Sequence, residues 1–179
     1  MILKKTSLEN LVLLESPVHV DKRGFFRKTY HEELMSDFGL ATSWKEEYFT
    51  TSKKDVIRGM HFQLPPNDHE KIVYCVKGSV MDVVLDLRTD SSTYGSSESF
   101  NLKENDGLAL YIPRGFAHGF LSKEDDSILS YKVTSVYNPT SDSGILWNSF
   151  GFDWKIQTPI LSDRDCNHTL FKDFESDFL

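Results

Sequence analysis

Apolar residues along this chain fall in short runs cut by turn formers, and they seldom recur at helical spacing. Runs at Leu11–Leu14, Val56–Gln63, Ile72–Val76, Val80–Leu87 and Ile128–Tyr137 read as strands. Turn-like segments separate them: Asp21-Lys22-Arg23-Gly24 ahead of Phe25 and Phe26, a Pro65-Pro66-Asn67-Asp68 loop, and a Lys77-Gly78-Ser79 hairpin turn. A polar loop follows from Thr89 to Ser99. One short helix is predicted, from about His31 to Phe38, stopped by Gly39. Strands punctuated this closely predict an all-β sandwich or barrel rather than a parallel α/β sheet. No repeat and no low-complexity linker interrupts the 179 residues, so residues 1–179 are expected to form one domain. The last forty residues scatter Pro, Gly and Trp and predict irregular structure, with a charged, aromatic tail from about residue 166.

The densest signal lies between Gly107 and His118. A five-residue apolar run, Leu108 to Ile112, meets a Pro113-Arg114-Gly115 turn and then a second run, Phe116 to Leu121, with one polar member. Pro113 fixes φ and Gly115 permits a tight reversal, so a hairpin delivers His118 to a strand face shared with Phe116 and Phe120. The spacing G-x5-P-x-G-x2-H resembles the second motif of the cupins. It implies a cupin-type double-stranded β-helix, a jelly-roll barrel with minor short helices.

Charge then removes several functions. The net charge of −7 argues against a nucleic acid or an anionic membrane surface as partner. An anionic ligand would need a local cluster of Arg and Lys. No run approaches the ~20 apolar residues that span a bilayer, and MILKKTSLEN lacks the order of a secretory signal. Cys75 and Cys166 offer neither a metal spacing nor a disulfide framework, which predicts a reduced, cytoplasmic setting.

Ionisable groups inside apolar strands are the informative ones. His61 sits in Val56–Gln63, Lys71 opens the next strand, Asp82 interrupts Val80–Leu87, and His118 lies in the hairpin. Tyr131 and Tyr137 are expected on one face of Ile128–Tyr137, because their separation is even. Singly, each reads as a satisfied core residue; together they predict a polar pocket in a barrel. The first-motif region reads His61-Phe62-Gln63, without the second His of an H-x-H pair, and His69 and Glu70 would point to opposite faces. No metal and no cofactor is therefore expected. Cys75, mid-strand among apolar neighbours, reads as inert. What remains is acid–base chemistry.

With those residues in view, the chain resembles the dTDP-4-dehydrorhamnose 3,5-epimerase family. The matching segments are Asp21 to Phe26, Arg58-Gly59-Met60-His61-Phe62-Gln63, Lys71 with Gly78, and Asp82 to Arg88. They continue with Pro113 to Phe120, Tyr131-Lys132 followed by Tyr137, Trp147-Asn148, and Leu161-Ser162-Asp163-Arg164-Asp165. The resemblance implies inversion of carbons flanking the ketone of a nucleotide-linked 4-keto-6-deoxy sugar, in activated-sugar biosynthesis for surface polysaccharide. By it, His61 takes a proton, Asp165 orients His61, Lys71 faces the developing oxyanion, and Tyr131 returns a proton from the opposite side. His118 and Asp82 would shape the pocket, with Gln63 and Tyr137 beside them. Arg23, Arg58 and Arg164 would hold the diphosphate, and Phe26 would stack on the base. The family is dimeric, which implies a homodimer whose N-terminal residues reach the neighbouring site.

Five departures stand out. Met60 and Phe62 occupy positions where the family usually has Leu and Tyr. Glu46 and Tyr48 stand where relatives acting on thymidine sugars carry Gln and Asn, and Lys28 stands where Glu is usual. These last three are expected near the nucleotide or the sugar. Strict alternation would also place Arg58 and His61 on opposite faces, so a shared pocket requires a bulge, for which Gly59 is the obvious place. Asp86, Arg88, Trp147 and Trp154 read as structural. Three readings remain: an epimerase acting at C3, C5 or both; a metal-free ketoisomerase; or a non-catalytic sugar-binding cupin.

Overall fold

A computed structural model describes residues 1–179. The chain begins with β1 (Ile2–Lys5), β2 (Val12–Glu15) and a hairpin of β3 (Val18–Asp21) and β4 (Gly24–Arg27), then α1 (Glu32–Asp37). The central strands are β5 (Glu46–Ser52), β6 (Ile57–Gln63), β7 (Lys71–Lys77), β8 (Ser79–Asp86) and β9 (Ser97–Lys103). There follow β10 (Leu108–Ile112), β11 (Phe116–Ser122), β12 (Ser127–Val133), β13 (Asp142–Gly144) and a four-residue α2 (Asp163–Cys166).

Two antiparallel sheets result, in the orders β1-β2-β10-β7-β12-β5 and β13-β6-β11-β8-β9, with β3–β4 apart from both. This is the sandwich expected of a cupin. Between the sheets lies a core that includes Val73, Leu110, Ile112 and Leu129 from one and Val84, Phe116 and Phe120 from the other. Fully burying each such side chain contributes about 1.5–3 kcal/mol before entropy is charged against it. The outer faces are also apolar and are covered. Met35 of α1, with Phe38 and Trp44, packs on Leu14, Ile72 and Tyr111. The C-terminal segment packs Trp154 and Phe178 on Met60, Phe62, Val83 and Leu85. No helix is long and apolar enough to cross a membrane.

The tail from residue 166 is largely without regular structure, yet it is anchored: Phe178 is buried, and its carbonyl accepts from both the amide and the hydroxyl of Thr89. One expectation needs correction. The strand bearing Tyr131 ends at Val133, so Tyr137 does not share it. Side-chain hydrogen bonds take the chain away there: Ser135 Oγ donates to Asn67 O, and the amide of Asn138 donates to Gln63 Oε1.

Candidate active site

The site begins with a bulge. His61 pairs with His118 and Arg58 with Phe120, so three steps along β6 oppose two along β11. His118 and Phe120 share the inner face, and the extra residue therefore turns both Arg58 and His61 inward. Gly59 sustains this at φ +145°, where an added Cβ would stand 2.5 Å from Gly119 Cα. The bulge expected at Gly59 is present, and only glycine fits there.

Behind His61 stands Asp165. His61 Nε2 and Asp165 Oδ1 are 2.7 Å apart, and the Gly59 amide donates to Oδ2 at 3.3 Å. Ser162 Oγ caps α2 by accepting from the Asp165 amide, which fixes the carboxylate at the helix start. Burial works to raise the Asp165 pKa, but His168, His61 and the Gly59 amide outweigh it and hold the group well below the usual carboxylate range. An ionised Asp165 only accepts, so His61 Nε2 carries the proton and Nδ1 keeps the lone pair. Burial lowers the His61 pKa, against the pull of Asp165, so the ring is neutral near pH 7.

His61 opens on a cavity of about 350 Å³ walled by Tyr48, Gln63, His69, Lys71, Tyr137 and Arg164, with Glu46, Ser135 and Asp142 completing the rim. Lys71 is buried, and desolvation lowers its pKa to about 8 against the pull of Asp82 and Asp142. Arg164 Nη2 pairs with Asp142 Oδ1 at 2.7 Å. Gln63 is largely spent on the loop, donating to Asn67 O at 2.9 Å.

A deeper layer lies on the same inner faces. Tyr131 is buried and does not line the cavity; Tyr48, opposite it on β5, does. Burial pushes the Tyr131 phenol well above its ordinary pKa. Beyond it, His118 Nε2 lies 2.8 Å from Asp82 Oδ2, while Asp82 Oδ1 has no partner. Desolvation raises the Asp82 pKa, opposed by His118 and Lys71. Arg58 Nε donates to Ser52 Oγ at 3.0 Å.

Three expected residues lie elsewhere in the chain. Arg23 is 84% exposed and paired with Asp21, and Phe26 lies on the same β3–β4 hairpin with 62% exposure. Lys28 lines a separate hollow with His19, Phe26 and His31. Sequence reasoning also passed over His168, Ser135 and Asp142, and considered His69 only as a metal ligand. The available signal for His168 was its position three residues after Asp165, just beyond the end of α2.

The family model described as dTDP-4-dehydrorhamnose 3,5-epimerase matches residues 5–173. The chain belongs to the dTDP-4-dehydrorhamnose 3,5-epimerase family. It is an isomerase acting on carbohydrates. It is 37% identical over 168 residues to the dTDP-4-dehydrorhamnose 3,5-epimerase of Methanothermobacter thermautotrophicus, covering 91% of this chain and 90% of that protein. It is 33% identical to a dTDP-4-dehydrorhamnose 3-epimerase of Streptomyces niveus, over 92% of this chain and 81% of the relative. The crystal structure of the Bacillus anthracis 3,5-epimerase, with TDP and PPi bound, superposes with a TM-score of 0.91 at 34% identity, covering 94% of this chain and 98% of that one. The matched stretch contains His61, Lys71, Tyr131 and Asp165.

Proposed function

We propose that this epimerase inverts C3, C5 or both in a dTDP-linked 4-keto-6-deoxy sugar, with His61 as base. The observation that carries the reading is the His61–Asp165 pair opening, beside Lys71, on one cavity. A proton next to a ketone becomes removable when the enolate oxygen is stabilised and a neutral base is within reach. His61 Nδ1 supplies the base, and Asp165 stabilises the imidazolium that forms. The Lys71 ammonium stabilises the enolate oxygen; one placed donor is typically worth ~10²–10³ in rate. Tyr131 returns a proton from the other face of the carbon, with Tyr48 stacked over it. The TDP and PPi in the Bacillus anthracis relative favour a thymidine diphosphate as the handle. Arg164, on the cavity wall, and Arg58, on β6 beyond it, are the guanidinium candidates for the diphosphate.

The β3–β4 hairpin completes the site from a second copy. Its Val20, Phe25 and Phe26 are exposed. Docked on a partner, the hairpin would carry Arg23, Phe26 and Lys28 to the neighbouring cavity. Sedimentation should show a dimer.

Incubation of dTDP-, CDP- and GDP-linked 4-keto sugars in D₂O, followed by NMR at C3 and C5, tests the reading. Deuterium at both carbons indicates double inversion, and at one carbon a single inversion. No exchange with any of the three removes the proposal and leaves a sugar-binding protein.

A further inference from the structure

Asp165 has a second imidazole beside it. His168 Nε2 lies 3.4 Å from the same Oδ1 that His61 Nε2 approaches at 2.7 Å. The two rings stand edge to face, with centroids 5.4 Å apart, and the three candidate ligand atoms lie within 4.8 Å of one another. His168 is held in this position by Gly144, where an added Cβ would stand 2.6 Å from ring atoms of the imidazole. Its side chain is 10% exposed, and Nε2 is sealed from solvent with only the long 3.4 Å approach to Asp165 Oδ1 and no well-formed hydrogen bond. A buried polar atom without a well-formed hydrogen bond is costly, and a ligand shared with Asp165 would satisfy this nitrogen.

We propose that His61 Nε2, Asp165 Oδ1 and His168 Nε2 form a reversible, inhibitory site for one zinc-class divalent ion. Two imidazoles and a carboxylate suit Zn²⁺ or Co²⁺, whereas Mg²⁺ and Ca²⁺ prefer all-oxygen sites. Ligand atoms about 2.0–2.2 Å from a tetrahedral ion stand roughly 3.3 Å from each other. The His168–Asp165 separation already has that value, and the His61–Asp165 contact must open by about half an ångström. The ion enters through the cavity, since the His61 side chain is 32% exposed and lines it. The guanidinium of Arg164, on the same cavity wall, is held by Asp142 at 2.7 Å. Water takes the fourth position.

Metal on Nε2 has a definite effect on the imidazole. The proton that Nε2 donates to Asp165 must leave that nitrogen, and it moves by way of solvent to Nδ1. The ring stays neutral and the proton count is unchanged, but Nδ1 loses its lone pair. Binding itself is independent of the proposed function; only the inhibition rests on it.

Chelator-stripped protein titrated with ZnCl₂, with a competing colorimetric chelator as readout, tests the site. One Zn²⁺ should bind per chain, and Co²⁺ in its place should show the visible absorption of a four-coordinate ion. His168→Ala and the bulkier His168→Gln should each weaken binding at least ~10-fold. Cys166→Ser should leave it unchanged, and melting curves check that each variant is folded. In the exchange assay, Zn²⁺ should slow deuterium uptake, and excess chelator should restore it. Absence of stoichiometric binding, unaltered binding in a folded His168→Gln variant, or loss of binding in Cys166→Ser would overturn the proposal. The titration decides the matter even if no sugar is turned over.

Discussion

Tyr48 and Tyr131 lie face to face across β5 and β12, with ring centroids 4.9 Å apart and planes 17° apart. The exposed ring borders the cavity and the buried ring backs it, so Tyr48 stands between Tyr131 and the cavity. Tyr48→Asn removes that cover. It should cost about 0.5–1.5 kcal/mol of stability from the lost stack, read by denaturant unfolding. The Tyr131 phenol should also titrate closer to its ordinary value, read by ultraviolet difference spectra. Tyr131→Phe should retain deuterium exchange while losing inversion at one carbon at least. Full inversion in Tyr131→Phe would transfer the acid role to another group.

His61→Ala should abolish exchange at both carbons. Asp165→Asn should keep the fold but lower the exchange rate on the order of 10²–10⁴, because an amide can hold the ring in the wrong tautomer. Equal exchange in wild type and His61→Ala would remove His61 from the chemistry.

The pH profile of kcat/KM should be bell-shaped. His61 acts in its neutral form, and burial lowers its pKa, so the acid limb should fall below the ordinary imidazole value near 6.5. Lys71 acts as ammonium with a pKa of about 8, so activity should decline as pH rises through that value. Lys71→Gln should lower the rate and erase the alkaline limb. An unchanged alkaline limb would assign that titration to a different residue.

Gly59→Ala should be more damaging than an ordinary surface substitution. The new Cβ meets Gly119 backbone at 2.5 Å in a conformation that L residues avoid. A loss above about 2 kcal/mol is expected by chemical unfolding. Because the bulge aims His61, activity should fall even under conditions where the variant stays folded.

The interior strands were readable because both their faces are constrained. β6, β7, β8, β10, β11 and β12 each fall largely within a predicted apolar run, and the bulge followed from requiring Arg58 and His61 to share one pocket. The strands left unread were the β3–β4 hairpin and β1, β5, β9 and β13. β1 and β5 end one sheet and β13 and β9 end the other, so each of these four has a single neighbour and little alternation to reveal it. Tyr137 was misplaced because periodicity cannot register the side-chain bonds that pull its loop off the sheet. His168 was passed over for another reason. Its meaning depends on Gly144, twenty-four residues earlier, lying flat against its ring.

Phe178 carries a practical consequence for anyone handling this protein. It contacts Phe62 edge to face, as does Phe174, and Phe62 is the residue next to His61. Trimming the final six residues would strip support from the reverse side of the strand that presents the base. A shortened version should lose turnover without any alteration to the reaction chamber, whereas a purification handle joined after the 87%-exposed Leu179 should be harmless.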